Sequence, residues 1–219
     1  MPVFTTKKIQ AVIFDCDGTL VDSESIGIKV LIKFAKEIGL RMDYQEAMLT
    51  FSGNKMADIL SALEGRLGKE LPINFEVDLR SRMEAAFQKE LCEMPGAGHT
   101  LSKIVLPICV ASNAPTRKIR QALTLTCLLP YFGEWIFSAY EVGKWKPDPE
   151  LFFCAAKNMN ISPEDCMVVE DSIPGIEAGL AAGMRVFALQ SDNVQLVNSP
   201  DVTWIEELSD LLPFLDCCA

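Results

Sequence analysis

The chain is poor in the features that would send it to a membrane, to nucleic acid or out of the cell. Among its 219 residues there is no apolar run of 18 or more, the length a membrane-spanning helix needs. Met1 to Gln10 carries two lysines but no apolar stretch of signal-peptide length, so no export is expected. A long basic run is missing too, and the formal net charge is −10. Nucleic acid and anionic lipid are held by clustered Lys and Arg, so neither is an expected partner. None of the eight cysteines forms a C-x-x-C pair. Cys16, Cys109, Cys154 and Cys166 lie in apolar or motif contexts, which suits a reduced, cytoplasmic protein better than a disulfide framework. Cys217 and Cys218 are read as a frayed end. The single histidine, His99, sits in Gly96-Ala97-Gly98-His99-Thr100, at a helix start away from the strand ends, and is read as a surface residue rather than a catalytic one.

Internal repeats, low-complexity tracts and linker-like stretches are also absent, and no convincing strand lies between Ser23 and Leu91. Helical spacing is what that segment has: Ile28, Leu31, Ile32 and Ala35, then Met56, Ile59, Leu60 and Leu63. From Pro95 onward short apolar runs alternate with helices: Ile108 to Ala111, Trp135 to Phe137, Met167 to Val169 and Val186 to Leu189. Ser162-Pro163-Glu164-Asp165 reads as a helix start, an N-cap followed by proline. With Ala11 to Phe14 as an opening strand, this alternation predicts an α/β fold, a parallel sheet covered by helices. A composition of 49% apolar and 23% charged residues supports one core plus a smaller satellite. The expected domains are 1–21 with 93–219 as the α/β core and 22–92 as an all-helical insert. Hinges are expected near Leu20 to Asp22 and Met94 to Gly98.

Asp15-Cys16-Asp17-Gly18-Thr19-Leu20 directly follows the first strand, placing two carboxylates where a buried strand ends. Side chains two apart on extended backbone point the same way, and like charges that close raise each other's pKa unless a cation neutralises them. Asp-Gly is also ordinary turn chemistry, which accounts for part of the pattern without any function. Functional residues of open parallel sheets collect at the C-terminal strand ends. Those ends carry Asp15 and Asp17, then Ser112-Asn113, then Glu170-Asp171-Ser172, and one loop holds Lys144, Lys146, Pro147 and Asp148. Such a set fits phosphoryl transfer. Asp15, Asp171 and Glu170 can hold Mg²⁺, a hard cation that takes oxygen ligands. Ser112 can donate to phosphoryl oxygens, and a lysine offsets the charge of nucleophile and substrate. One carboxylate can attack phosphorus while the other serves as acid and base. Cys16 should point away from the two aspartates, into the core.

Asp15-Cys16-Asp17-Gly18-Thr19-Leu20-Val21-Asp22-Ser23, Ala111-Ser112-Asn113, Lys146-Pro147-Asp148-Pro149 and Glu170-Asp171-Ser172, followed by Gly175 and Ala181-Ala182-Gly183, resemble in order the four motifs of the haloacid dehalogenase superfamily. The resemblance implies a Rossmann-like core with a helical cap inserted after the first motif. It makes Asp15 the nucleophile that becomes an aspartyl phosphate and Asp17 the general acid/base. Ser112, with Asn113 beside it, then binds phosphate. Asp171 ligates Mg²⁺ with Asp15, Glu170 and the backbone carbonyl of Asp17. Lys146 takes the role of the conserved lysine, with Lys144 as the alternative. Lys55, in the turn Ser52-Gly53-Asn54-Lys55, falls where the family places a substrate-reading loop.

Asp17 separates the chain from true haloacid dehalogenases and phosphonoacetaldehyde hydrolases, which lack that second aspartate. The β-phosphoglucomutases share all four motifs but carry a histidine where this chain has Gly27. The resemblance therefore favours a Mg²⁺-dependent phosphatase of small phosphorylated metabolites, with sugar phosphates as the substrate class, and a monomer is the expected state. A phosphosugar mutase is the first alternative, and a catalytically silent phosphometabolite-binding module is the alternative of another class.

Overall fold

In the computed structural model, which describes residues 8–52, 54, 56–190, 197 and 199–216, the chain divides into two compact units, 1–21 with 92–219 and 22–91. The strands are β1 (Ala11–Phe14), β2 (Ile108–Ser112), β3 (Ile136–Ser138), β4 (Cys166–Glu170), β5 (Arg185–Leu189) and β6 (Val202–Ile205). In chain order the helices are α1 (Ser23–Glu37), α2 (Tyr44–Phe51), α3 (Met56–Leu67), α4 (Phe75–Glu90), α5 (Ala97–Lys103), α6 (Thr116–Leu125), α7 (Leu129–Phe132), α8 (Ala139–Val142), α9 (Glu150–Met159), α10 (Ile173–Ala181) and α11 (Leu212–Asp216). No helix among the described residues is long and apolar enough to cross a membrane.

The larger unit is a six-stranded sheet in the order β3-β2-β1-β4-β5-β6, parallel throughout. The α/β class expected from the alternating pattern is therefore the one observed. Every residue of β1 and β4 is buried, which is why these strands are continuous apolar runs rather than alternating ones. Ala11, Ile13, Cys109, Ala111, Val168 and Val186 share one cluster with Leu151, Phe152 and Ala155 of α9 and Ile176 of α10. Burying each of the larger side chains stabilises the core by about 1.5–3 kcal/mol. After β1 the chain builds outward through β2 and β3, then returns to the other side of β1 with β4. The order reverses between β1 and β4, where a crevice opens at the carboxyl ends of the strands.

Two local expectations need correction. Ser162 to Asp165 does not start an α-helix: Pro163–Asp165 is a single 3₁₀ turn, and Ser162 makes no side-chain capping bond. The apolar residues that follow are drawn into β4, and Gln10 grips the turn through its backbone N–H and side chain, both bonded to Asp165. The sequence pattern also leaves out β6, an edge strand paired only to β5 with its first three residues half-buried. Thr203 and the flanking Asp201 and Glu206 hide so short a strand from an apolar-run criterion.

The smaller unit holds α1 to α4. Ile28, Leu31, Ile59 and Leu63 are buried together with Phe34, Phe51, Phe75 and Leu79, and the Phe34 and Phe75 rings stack at 4.5 Å. Asp22 caps α1 through Ser25 N–H (3.2 Å) and Asp43 caps α2 through Gln45 N–H (2.9 Å), each satisfying amides the first helical turn leaves unbonded. A turn closes after α2, where Asn54 N–H donates to Phe51 O at 3.2 Å. Gly53 and Lys55 lie outside the described residues, as do Cys217 and Cys218.

Candidate active site

The loop after β1 winds tightly: Gly18 N–H donates to Val21 O, and the Leu20 and Val21 N–H groups donate to Cys16 O. Gly18 has φ +89°, and a Cβ there would lie 2.1 Å from Asp171 Oδ2. Only glycine meets both conditions, the left-handed backbone and the close approach. Thr19 Oγ1 donates to Asp171 Oδ1 at 2.7 Å. Gly-Thr of the first motif is thus shaped around an aspartate supplied from beyond β4, across the crevice.

Lys146 joins the two sides. Its Nζ donates to Asp15 Oδ1 and to Glu170 Oε1, each at 2.5 Å, and its side chain is 2% exposed. Glu170 is fully buried. Its Oε2 accepts from Asp171 N–H (3.1 Å), Ser172 N–H (3.1 Å) and Ser172 Oγ (2.9 Å). The carboxylate thus occupies the N-terminus of α10, where unbonded amides and the helix dipole favour an anion. The fit requires Gly175, since a Cβ there would fall 1.9 Å from Glu170 Cδ.

Ser112 is buried at the end of β2, and its Oγ accepts from Ala114 N–H at 3.1 Å. Asn113 holds the backbone of Lys146: its Oδ1 accepts the Lys146 N–H at 2.9 Å. The side chain therefore ties the lysine loop to β2. Lys144 pairs with Asp148 at 3.2 Å and is more than half exposed, so it is Lys146 that reaches the carboxylates. His99 is exposed on α5 and Cys16 is buried.

Burial pushes the Asp15 carboxyl up to about 7; Lys146 opposes this, while Glu170 and Asp17 add to it. Burial would lower the Lys146 ammonium, but Asp15 and Glu170 outweigh it and hold the group above its ordinary value. The Cys16 thiol is raised well above its usual range by burial and then by Asp17 and Asp15, which makes it an inert core thiol. Asp15, Glu170 and Asp171 each present an oxygen within 4.8 Å of the others. Such an all-oxygen set, in which Asp15 ionises only with difficulty, suits a hard divalent cation.

Asp17 stands apart from this cluster. Its Oδ2 receives a hydrogen bond from Lys118 Nζ at 3.1 Å. Lys118, in the first turn of α6, is absent from the sequence-based assignment of the site. One signal was available: Arg117 and Lys118 place positive charge at a helix N-terminus, against the dipole, in a turn with no acidic residue.

The sequence model of the family described as haloacid dehalogenase-like hydrolase matches residues 9–183. The chain is 40% identical over 207 residues to the 6-phosphogluconate phosphatase of Escherichia coli strain K12, covering 93% of each. It is 32% identical over 185 residues to hexitol phosphatase A of the same organism, covering 82% of each. A crystal structure of a hydrolase of this family from Deinococcus radiodurans R1, with bound phosphate and sodium, superposes with a TM-score of 0.83 at 29% identity, covering 97% of each chain. Motifs, sheet order and relatives agree: this chain belongs to the haloacid dehalogenase-like hydrolases.

Proposed function

We propose that the protein is a Mg²⁺-dependent phosphomonoesterase of small phosphorylated metabolites, sugar phosphates in particular, working through an aspartyl phosphate on Asp15. The observation that carries this reading is the division of the first-motif aspartates between two lysines. Asp15 faces Lys146 inside the acidic cluster, and Asp17 faces Lys118 outside it. Two carboxylates in different surroundings suit two different roles.

Asp15 attacks phosphorus and the bond to the ester oxygen breaks, with Asp17 delivering the proton that oxygen needs. Water then attacks the aspartyl phosphate and gives its proton to Asp17, and the electron pair of the broken bond returns to Asp15. Ser112 sits at the rim as a hydroxyl donor to phosphoryl oxygens. Asp15, Asp171 and the backbone carbonyl of Asp17 would hold Mg²⁺, whose charge lets an anionic phosphate approach an anionic nucleophile. Glu170, with both oxygens engaged by donors, contributes by fixing Lys146. The names of the relatives, a 6-phosphogluconate phosphatase and a hexitol phosphatase, and the phosphate held by the Deinococcus structure support the substrate class.

The test is a panel of phosphate esters assayed with Mg²⁺ and with EDTA. Inorganic phosphate should appear with Mg²⁺, not with EDTA, and not from Asp15→Asn. Activity surviving in Asp15→Asn would sink the covalent route. Accumulation of interconverted hexose phosphates would mean a mutase, and no release from any ester would leave a silent binding module.

A further inference from the structure

We infer that Lys118 is a positioning residue for Asp17, holding its carboxylate oriented for the step in which water cleaves the aspartyl phosphate. The inference rests on the proposed phosphatase reading and deepens it.

The two lysines of the site differ in kind. Lys146 is enclosed between Asp15 and Glu170 and cannot turn toward Asp17 without leaving two buried carboxylates uncompensated. Lys118 keeps 46% of its side chain exposed and Asp17 25%, so this pair is open to solvent. Burial works against the Lys118 ammonium. Its attraction to Asp17, the hydrogen bond to Asp17, and then Cys16 and Asp15 more than offset that, and the group lies above its ordinary value. Its ammonium is held on the end of a helix whose dipole disfavours it. A charge so placed is explained by its partner.

Asp17 must do opposite things in the two halves of the reaction. In the first it gives a proton to the leaving oxygen; in the second it must be a carboxylate, 2.6–3.2 Å or so from the attacking water, to accept one. In the second half the water O–H bond breaks, the new P–O bond forms, the P–O bond to Asp15 breaks, and the proton ends on Asp17. A cation 3.1 Å from Oδ2 holds one oxygen, leaving the rotamer fixed when water arrives. Without that cation, breakdown of the aspartyl phosphate should slow more than its formation.

The experiment uses p-nitrophenyl phosphate, whose leaving group departs without a proton and so reports formation and breakdown separately. Lys118→Met should lower kcat about 10- to 100-fold, a fraction of what acid–base catalysis contributes. KM should fall along with kcat, because slowed breakdown leaves kcat/KM to be set by formation, and a rapid burst of one nitrophenolate per enzyme should precede the slowed steady state. Lys118→Arg should restore much of kcat and abolish the burst. In an Asp17→Asn background the Lys118→Met change should cost nothing further, because a residue acting through Asp17 has nothing left to act on. Unchanged thermal unfolding of Lys118→Met excludes a folding defect; should it unfold early, the Lys118→Arg rescue and the Asp17→Asn background decide the matter.

A raised KM with kcat unchanged would make Lys118 a substrate-binding cation and overturn the inference. So would a kcat loss without a burst, or one of equal size in the Asp17→Asn background. These results leave the phosphatase reading intact. A wild-type protein that cleaves no ester removes that reading, and this inference with it.

Discussion

Asp15 and Lys146, 131 residues apart in the chain, are joined by a 2.5 Å hydrogen bond from Nζ to Oδ1, and the same Nζ bonds Glu170 at 2.5 Å. One ammonium therefore separates two buried carboxylates drawn from the adjacent strands β1 and β4. Three sequence-distant segments must be in place before the full bridge forms. The site is thus built by the sheet order, and its electrostatics depend on the folded state.

Lys146→Met removes the bridge and leaves Asp15 and Glu170 facing each other without a cation. Breaking a buried pair from one side costs about 3–5 kcal/mol, so urea unfolding should show a lower midpoint with an unchanged slope. Phosphatase activity should fall to background. A variant as stable as wild type would show that the lysine charge is not needed to bury these carboxylates.

Metal and pH act on the same group. Folding raises the Asp15 carboxyl from 3.8 to about 7, burial being the main cause. The fold therefore prefers the protonated form. The stabilising contribution is complete below the unfolded value near 3.8, and it is lost as pH rises through about 7. Mg²⁺ binds the ionised form, so it should recover that loss. The rise in melting temperature on replacing EDTA by Mg²⁺ should be larger at about pH 8 than at about pH 5. Equal shifts at both pH values would mean that the cation does not bind Asp15.

Gly18→Ala tests the turn of the first motif. A Cβ at 2.1 Å from Asp171 Oδ2, on a residue with φ +89°, adds a collision to a backbone penalty of about 1–2 kcal/mol. Asp171 must move and its bond from Thr19 Oγ1 must break. Mg²⁺ affinity by calorimetry should drop together with kcat, while the sheet core, which the change does not touch, keeps the far-ultraviolet circular dichroism of the wild type. Unaltered Mg²⁺ affinity would take Asp171 out of the cation site.

Much of this architecture is legible in the sequence for a physical reason. Buried parallel strands are continuous apolar runs, and polar residues at their carboxyl ends stand out against them, as Asp15 does after Phe14 and Glu170 after Val169. Contacts made by side chains on helices are not legible in that way. Lys118 carries no strand to announce it, and its partner Asp17 lies 101 residues earlier. Asn113 reads as a phosphate contact because it neighbours Ser112, yet its amide is engaged by the backbone of Lys146. Edge strand β6, half-exposed and holding a threonine, fails the same apolar criterion that reveals β1 and β4. Glu170 shows the limit most clearly: its residue type fits a metal ligand, and only the fold shows the four donors that occupy its two oxygens.

That occupation can be tested against ligation. In Glu170→Gln one oxygen becomes an amide nitrogen, so a donor must face either Lys146 Nζ or the Asp171 and Ser172 N–H groups, and at least one buried donor loses its acceptor. Lys146 should then shift from Asp15, lowering kcat about 10- to 100-fold, as loss of an outer-shell partner does. Gly175→Ala displaces the same carboxylate with no change of charge, because its Cβ would overlap Glu170 Cδ at 1.9 Å; it should reproduce the kcat loss. Asp171→Asn should instead weaken Mg²⁺ binding more than either. If Glu170→Gln weakens Mg²⁺ as much as Asp171→Asn while Gly175→Ala does not, the glutamate is a direct ligand, and its bonds at the α10 N-terminus must rearrange when the cation binds.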